Sequence, residues 1–353
     1  DFQIFLARIK TILVAAQTID LRINWLTLTN EGYRNTPPKW RATHPGRSFY
    51  GCEVCPAVGG GMDLILQNHR DTLDYFSDLS LDYVTLWSYD QGGCACPACA
   101  PWGAKGMLDC GREVAALVRQ RHPGCRIIYS TWLFDHKGEK EWEGLDAALA
   151  AGKGDYIDIL LAESHRAYPR YPLEHDLPGH RPIVNFPEIS MRLIYPWGGS
   201  GANPMPRINS EIWGQCVTLC DGGLLYSEGI FEDVNKALYA GFYWNRDNRI
   251  EDNLWEYARF ELSCSDQDYA DWRRALDILE DNSRFAIFRQ GAKEEGYDFS
   301  GHDCEKIRYG GCEVWSRSEF KADAVWAHEK IMAMDARLSP RAERMAKAKG
   351  IAT

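Results

Sequence analysis

The chain has 353 residues, 45% hydrophobic and 25% charged, with a formal charge of −10 from 50 acidic and 40 basic side chains. No run of about 18 uncharged apolar residues occurs, which excludes a membrane-spanning helix, and the hydrophobic content excludes a disordered chain. The basic residues are scattered rather than striped, so the long-range field repels a phosphate backbone, and neither nucleic acid nor membrane is an expected partner.

In chain order, Phe2, Phe5, Leu6, Ile9, Ile12, Leu13 and Ala16 recur at three- and four-residue steps and predict an opening helix with one buried face. Arg8 and Lys10 interrupt it, so it does not read as a signal peptide. Short runs rich in β-branched and aromatic residues then predict strands at 22–29, 81–89, 125–134, 156–162, 182–186 and 223–227. Several are continuously apolar, the pattern of strands covered on both faces of a parallel sheet. Helical patterns lie between them at 62–77, 107–121, 140–151 and 209–220, which makes this an α/β chain. Further helices are predicted at 232–244, 253–262, 266–282 and 322–349, while 286–315 fits no simple pattern and the Pro-rich connection 164–182 reads as a loop.

Nearly every predicted strand ends in a polar or acidic cluster: Asn30-Glu31, Asp90-Gln91, Asp135-His136, Glu163-Ser164-His165, Glu188 and Glu228. In a TIM, or (β/α)8, barrel such ends converge on one face, where the active site sits. An open doubly wound sheet would instead carry a Gly-rich phosphate loop after its first strand, and none is present. The expectation is therefore a (β/α)8 barrel over 1–262 with a mostly helical extension over 263–353. Six strands are two short of eight, and the first two are expected to precede residue 1.

Hydrolysis of a glycosidic bond needs one carboxylic acid to protonate the leaving oxygen and one carboxylate as nucleophile or base, both facing the sugar. Glu31, Asp90, Glu163, Glu188 and Glu228 offer that pair several times over. The 13 Trp and 17 Tyr agree with a sugar ligand, because an amphipathic ring can cover a sugar face; Trp87, Trp132 and Trp197 stand at or just past strand ends. His165 beside Glu163 is a candidate base or ligand, and Arg166, Arg170 and Arg192 could hold a sugar carboxylate. Asp90 and Glu188 are the favoured catalytic pair, with the remaining acids, His165 and the three tryptophans as substrate binders.

The segment Leu86-Trp87-Ser88-Tyr89-Asp90-Gln91-Gly92-Gly93-Cys94-Ala95-Cys96-Pro97-Ala98-Cys99 resembles the strand-to-loop segment of bacterial glycoside hydrolases with a family 20-like barrel. Looser similarity extends to Tyr195-Pro196-Trp197-Gly198-Gly199 and to 226–233. The resemblance implies a glycosidase with an Asp-Glu pair ending the fourth strand, the Glu serving as acid. Here the second position is Gln91, which cannot donate a proton as an acid does, so the acid is expected from Asp90 or another strand.

Cys52 and Cys55 form a CxxC, and Cys94, Cys96 and Cys99 a CxCxxC, in loops after neighbouring strands. Four thiolates suit a closed tetrahedral zinc site, which would brace loops rather than perform chemistry and would place the chain in the cytoplasm; disulfides would fit an exported protein. No catalytic cofactor is expected. Two other functions stay open: a carbohydrate-binding barrel without activity, and a metal-dependent hydrolase, although neither HxH nor HExxH occurs.

Overall fold

The computed structural model describes residues 2–43, 52–89, 92–137, 140–164, 167–190, 204–227, 233–284, 304–309, 312–317, 326–327, 329–330 and 333. The chain forms two compact units. The first comprises residues 1–163, 168–185 and 219–222, the second 164–167, 186–218 and 223–353, so the region 1–262 contributes to both.

The first unit opens with α1 (Phe2–Gln17), β1 (Asn24–Leu28), α2 (Gly61–Tyr75) and β2 (Tyr83–Trp87). A π-helical turn, Trp102–Gly106, leads into α3 (Met107–Arg121) and β3 (Arg126–Ser130). There follow α4 (Phe134–Lys137), α5 (Lys140–Ala150), β4 (Ile159–Glu163), α6 (Arg170–Glu174) and β5 (Ile183–Phe186). Beyond them come β6 (Glu188–Ser190), α7 (Pro206–Cys216), β7 (Cys220–Gly223), β8 (Tyr226–Ser227), α8 (Asp233–Trp244), α9 (Ile250–Glu261), α10 (Asp266–Arg284), β9 (Cys304–Tyr309) and β10 (Cys312–Arg317). No helix among the described residues is long and apolar enough to cross a membrane.

A six-stranded sheet runs in the order β1-β2-β3-β4-β5-β7, with β1–β2, β2–β3 and β3–β4 pairing in parallel. The α/β expectation is met at this level. Every residue of β4 is buried, as its unbroken apolar run requires. Because the strands are parallel and near neighbours in sequence, their carboxyl ends line one edge and deliver Asn30, Ser88, Thr131 and Glu163 to it.

Three expectations need correction. The run 125–134 does not continue as strand: after Ser130 the chain turns, Leu133 takes φ 64°, and Phe134 starts α4. The run 223–227 is divided, since β7 joins the large sheet whereas β8 pairs with β6. The opening helix has no fully buried face. Leu6, Ile9, Leu13 and Ala16 are half-buried, Phe5 and Ile12 are exposed, and the helix is tethered by polar contacts from Lys10 Nζ to Asp78 (2.7 Å) and Gln17 Nε2 to Ser80 O (2.9 Å).

In the second unit, β6 and β8 form a short parallel pair and β9 and β10 an antiparallel one, where the sequence gives no simple pattern. Trp213 of α7 stacks on Phe242 of α8, ring centroids 6.0 Å apart. Buried Glu280 of α10 accepts the N–H groups of Arg207 (3.0 Å) and Ile208 (2.7 Å), so a carboxylate remote in sequence caps the start of α7.

Candidate functional site

Glu163 ends β4 and is 4% exposed. Burial, and then the nearby charge of Asp135, push its carboxyl up to about 8, against a smaller opposing effect of the Leu133 N–H. Its Oε2 has no hydrogen-bond partner among the described residues, and Oε1 lies 3.8 Å from Nε2 of the exposed His136. At neutral pH this group is a carboxylic acid, with a proton to give. Leu133, whose left-handed backbone is costly for a branched side chain, presents that N–H to it, a kind of strain that gathers at functional positions.

The loop after β3 is fixed from both sides. Thr131 Oγ1 donates to Leu161 O on β4 (3.0 Å), and Ser88 Oγ, just past β2, donates to Trp132 O (2.9 Å). Trp132 is half-buried and stacks on Trp87, with ring centroids 5.7 Å apart and planes 30° from parallel. The indole pair and the buried acid thus belong to adjoining strand ends. Deeper in, Tyr89 hydrogen-bonds Glu141, whose other oxygen accepts the Ala104 N–H (2.9 Å), so this buried acid holds the π-helical turn.

At the end of β1, Glu31 is half-buried and accepts a hydrogen bond from Thr27 Oγ1 (3.2 Å); burial raises its pKa. His69 packs its Nε2 3.2 Å from Thr29 O, and complete burial lowers it to about 4, so it is a neutral core residue. Glu188 starts β6 in the second unit and is buried. Asp90, His165, Arg166, Arg192, Trp197 and Glu228 lie outside the described residues.

The thiols of Cys55, Cys94, Cys96 and Cys99 come together with all four sulfurs within 4.8 Å of one another. Cys55 to Cys96 is 3.7 Å and Cys55 to Cys99 is 3.9 Å, so the thiols are free and not disulfide-bonded. Interaction with Cys99 lowers the pKa of Cys94 and raises that of Cys99, and burial raises that of Cys55. Cys52, expected as a fifth ligand candidate, is not in this group. Its Sγ donates instead to Gly32 O (3.5 Å), where Gly32 passes close against the Cys52 backbone.

Sequence reasoning passed over Asn30, fully buried where β1 ends. Its Nδ2 donates to Val54 O and Gly93 O, and its Oδ1 accepts the Gly93 N–H, each at 3.0 Å. The Gly-Gly of the motif follows from this. Gly93 has φ 101°, and a Cβ on Gly92 would lie 2.8 Å from Ser88 O and 3.2 Å from Asn30 Oδ1. An uncompensated polar residue beside a strand-end acid was the only sequence signal for Asn30.

No protein-family model matches the chain, and no curated protein does. Among solved structures it is similar to octameric ribulose-1,5-bisphosphate carboxylase/oxygenase from Pyrococcus horikoshii OT3, at 11% identity and a TM-score of 0.29. That match covers 56% of this chain and 43% of the other, a likeness too slight to carry the fold.

Proposed function

We propose that the chain is a glycoside hydrolase, built on a (β/α)8 barrel, whose general acid is Glu163. The supporting observation is the buried carboxyl group at the end of β4, which keeps its proton up to about pH 8 and stands beside the loop whose Trp132 stacks on Trp87 at the end of β2. A leaving sugar oxygen needs a proton delivered in the transition state, and an acid that is still protonated at working pH supplies it. Trp132, half-buried over Trp87, is the platform for a sugar ring. Asp90, following β2, is the candidate for the complementary carboxylate, and Glu31 a substrate binder. The four thiols hold zinc in a structural role: a complete set of protein ligands leaves no position for a reacting water.

Hydrolysis of a panel of nitrophenyl glycosides tests the proposal. Glu163→Gln and Asp90→Asn are each expected to lower turnover at least about a hundredfold. Full activity of Glu163→Gln would remove the acid, whereas sugar binding without any hydrolysis would favour a carbohydrate-binding barrel.

A further inference from the structure

Two loops that follow neighbouring strands meet at the thiols, and a single buried amide spans them. Cys55 comes from the segment after β1, while Cys94, Cys96 and Cys99 come from the segment after β2. Asn30 grips the residue directly before a cysteine on each side, Val54 before Cys55 and Gly93 before Cys94. We propose that Cys55, Cys94, Cys96 and Cys99 bind one zinc ion and that Asn30 is its positioning residue, setting the spacing between the two halves of the site. The proposal rests on the zinc reading above and is independent of the hydrolysis.

The spacing of the sulfurs selects a single ion. With metal–sulfur bonds of about 2.3 Å, a regular tetrahedron has sulfur–sulfur edges of about 3.8 Å. The Cys55 edges of 3.7 and 3.9 Å bracket that value. An iron–sulfur cluster would place inorganic sulfide and several irons between the cysteines, and a group whose sulfurs all lie within 4.8 Å has no room for them.

Backbone hydrogen bonds complete the surroundings: Ala95 N–H donates to Thr43 O (2.6 Å) and Cys55 N–H to Trp40 O (2.8 Å), so the stretch 40–43 also joins the halves. Asn30 differs from these in being wholly buried and in serving both loops at once. Without it, Gly93 loses the partner of its N–H and of its carbonyl, and the Cys94 side drifts from Cys55.

Elemental analysis of the purified full chain is expected to give one zinc per molecule, and cobalt substitution the absorption of a tetrahedral tetrathiolate. Cys96→Ser should lose that spectrum, and Cys52→Ser should keep both it and the zinc. Asn30→Ala should bind zinc about tenfold or more weakly in competition with a chromophoric chelator, the usual range for losing an outer partner of a metal ligand. Should Asn30→Ala fail to fold, amide exchange of Gly93 in the unaltered protein is decisive: chelation is expected to speed it at least tenfold. Iron or no metal in the protein, or loss of metal in Cys52→Ser, overturns the zinc reading. Unchanged affinity in a folded Asn30→Ala, or unchanged Gly93 exchange, overturns the role of Asn30 and leaves the zinc standing.

Discussion

Replacing Glu163 by Gln should make the protein more stable, and the gain should depend on pH. The carboxyl has an ordinary pKa of 4.5 and a folded value of about 8. Below pH 4.5 it is protonated in both folded and unfolded chains and contributes no pH-dependent term. Between 4.5 and 8 the unfolded chain releases the proton while the folded one keeps it, so wild-type stability falls as pH rises, by about 1.4 kcal/mol per pH unit. Above 8 both states are ionised and the loss is complete, at about 5 kcal/mol. A glutamine never ionises. Relative to wild type, Glu163→Gln should therefore gain about 3 kcal/mol between pH 4 and pH 7 and about 5 kcal/mol between pH 4 and pH 9. Urea unfolding of both proteins at pH 4, 7 and 9 measures the difference, and any constant effect of the amide cancels in the comparison. A difference that stays flat from pH 4 to 9 would refute the raised pKa, and with it the protonated acid.

If Glu163 is the acid, kcat/KM on a responsive glycoside should decline above about pH 8, as the free enzyme loses the proton; a profile flat to pH 9.5 would contradict this. Trp132→Ala should raise KM about tenfold and change kcat much less, since the ring face binds sugar in ground and transition states alike. Gly93→Ala should cost about 1 to 3 kcal/mol in chemical unfolding, because alanine at φ 101° is strained. Glu280→Leu strips two N–H groups and Arg207 of their acceptor and should cost at least about 2 kcal/mol, seen as a lower Tm; an unchanged Tm would show that water replaces the cap.

The sequence made the alternation of strand and helix legible where the local pattern and the packing agree. The α3 boundaries, Met107–Arg121, coincide with the periodic segment, β1, β2 and β5 sit inside their β-branched runs, and β4 overruns its run by one residue, Glu163. Where residue preference and position disagree, reading fails. Cys220-Asp221-Gly222-Gly223 contains three residues disfavoured in strands, yet it completes the sheet edge as β7. Thr131 to Phe134 is apolar enough for a strand and turns instead at Leu133. At the cysteines, spacing offered five candidates, and the fold gathers four, with the Cys52 thiol bonded to Gly32 O instead. Asn30 acts through partners 24 and 63 residues away, a relation that no local pattern carries.

The four clustered thiols all fall between residues 55 and 99, and the strands they follow, β1 and β2, both precede α3. During synthesis the metal ligands therefore leave the ribosome before α3 and the rest of the sheet exist. On the zinc reading, an ion captured at that stage closes the loop between β1 and β2 and fixes their neighbourhood before β3 is made. Each later strand of the run β3, β4, β5 then needs only the strand before it as a template, so the sheet can be laid down in the order in which it is made. Metal supply during synthesis would thus bear on the yield of folded chain as well as on the stability of chains already complete.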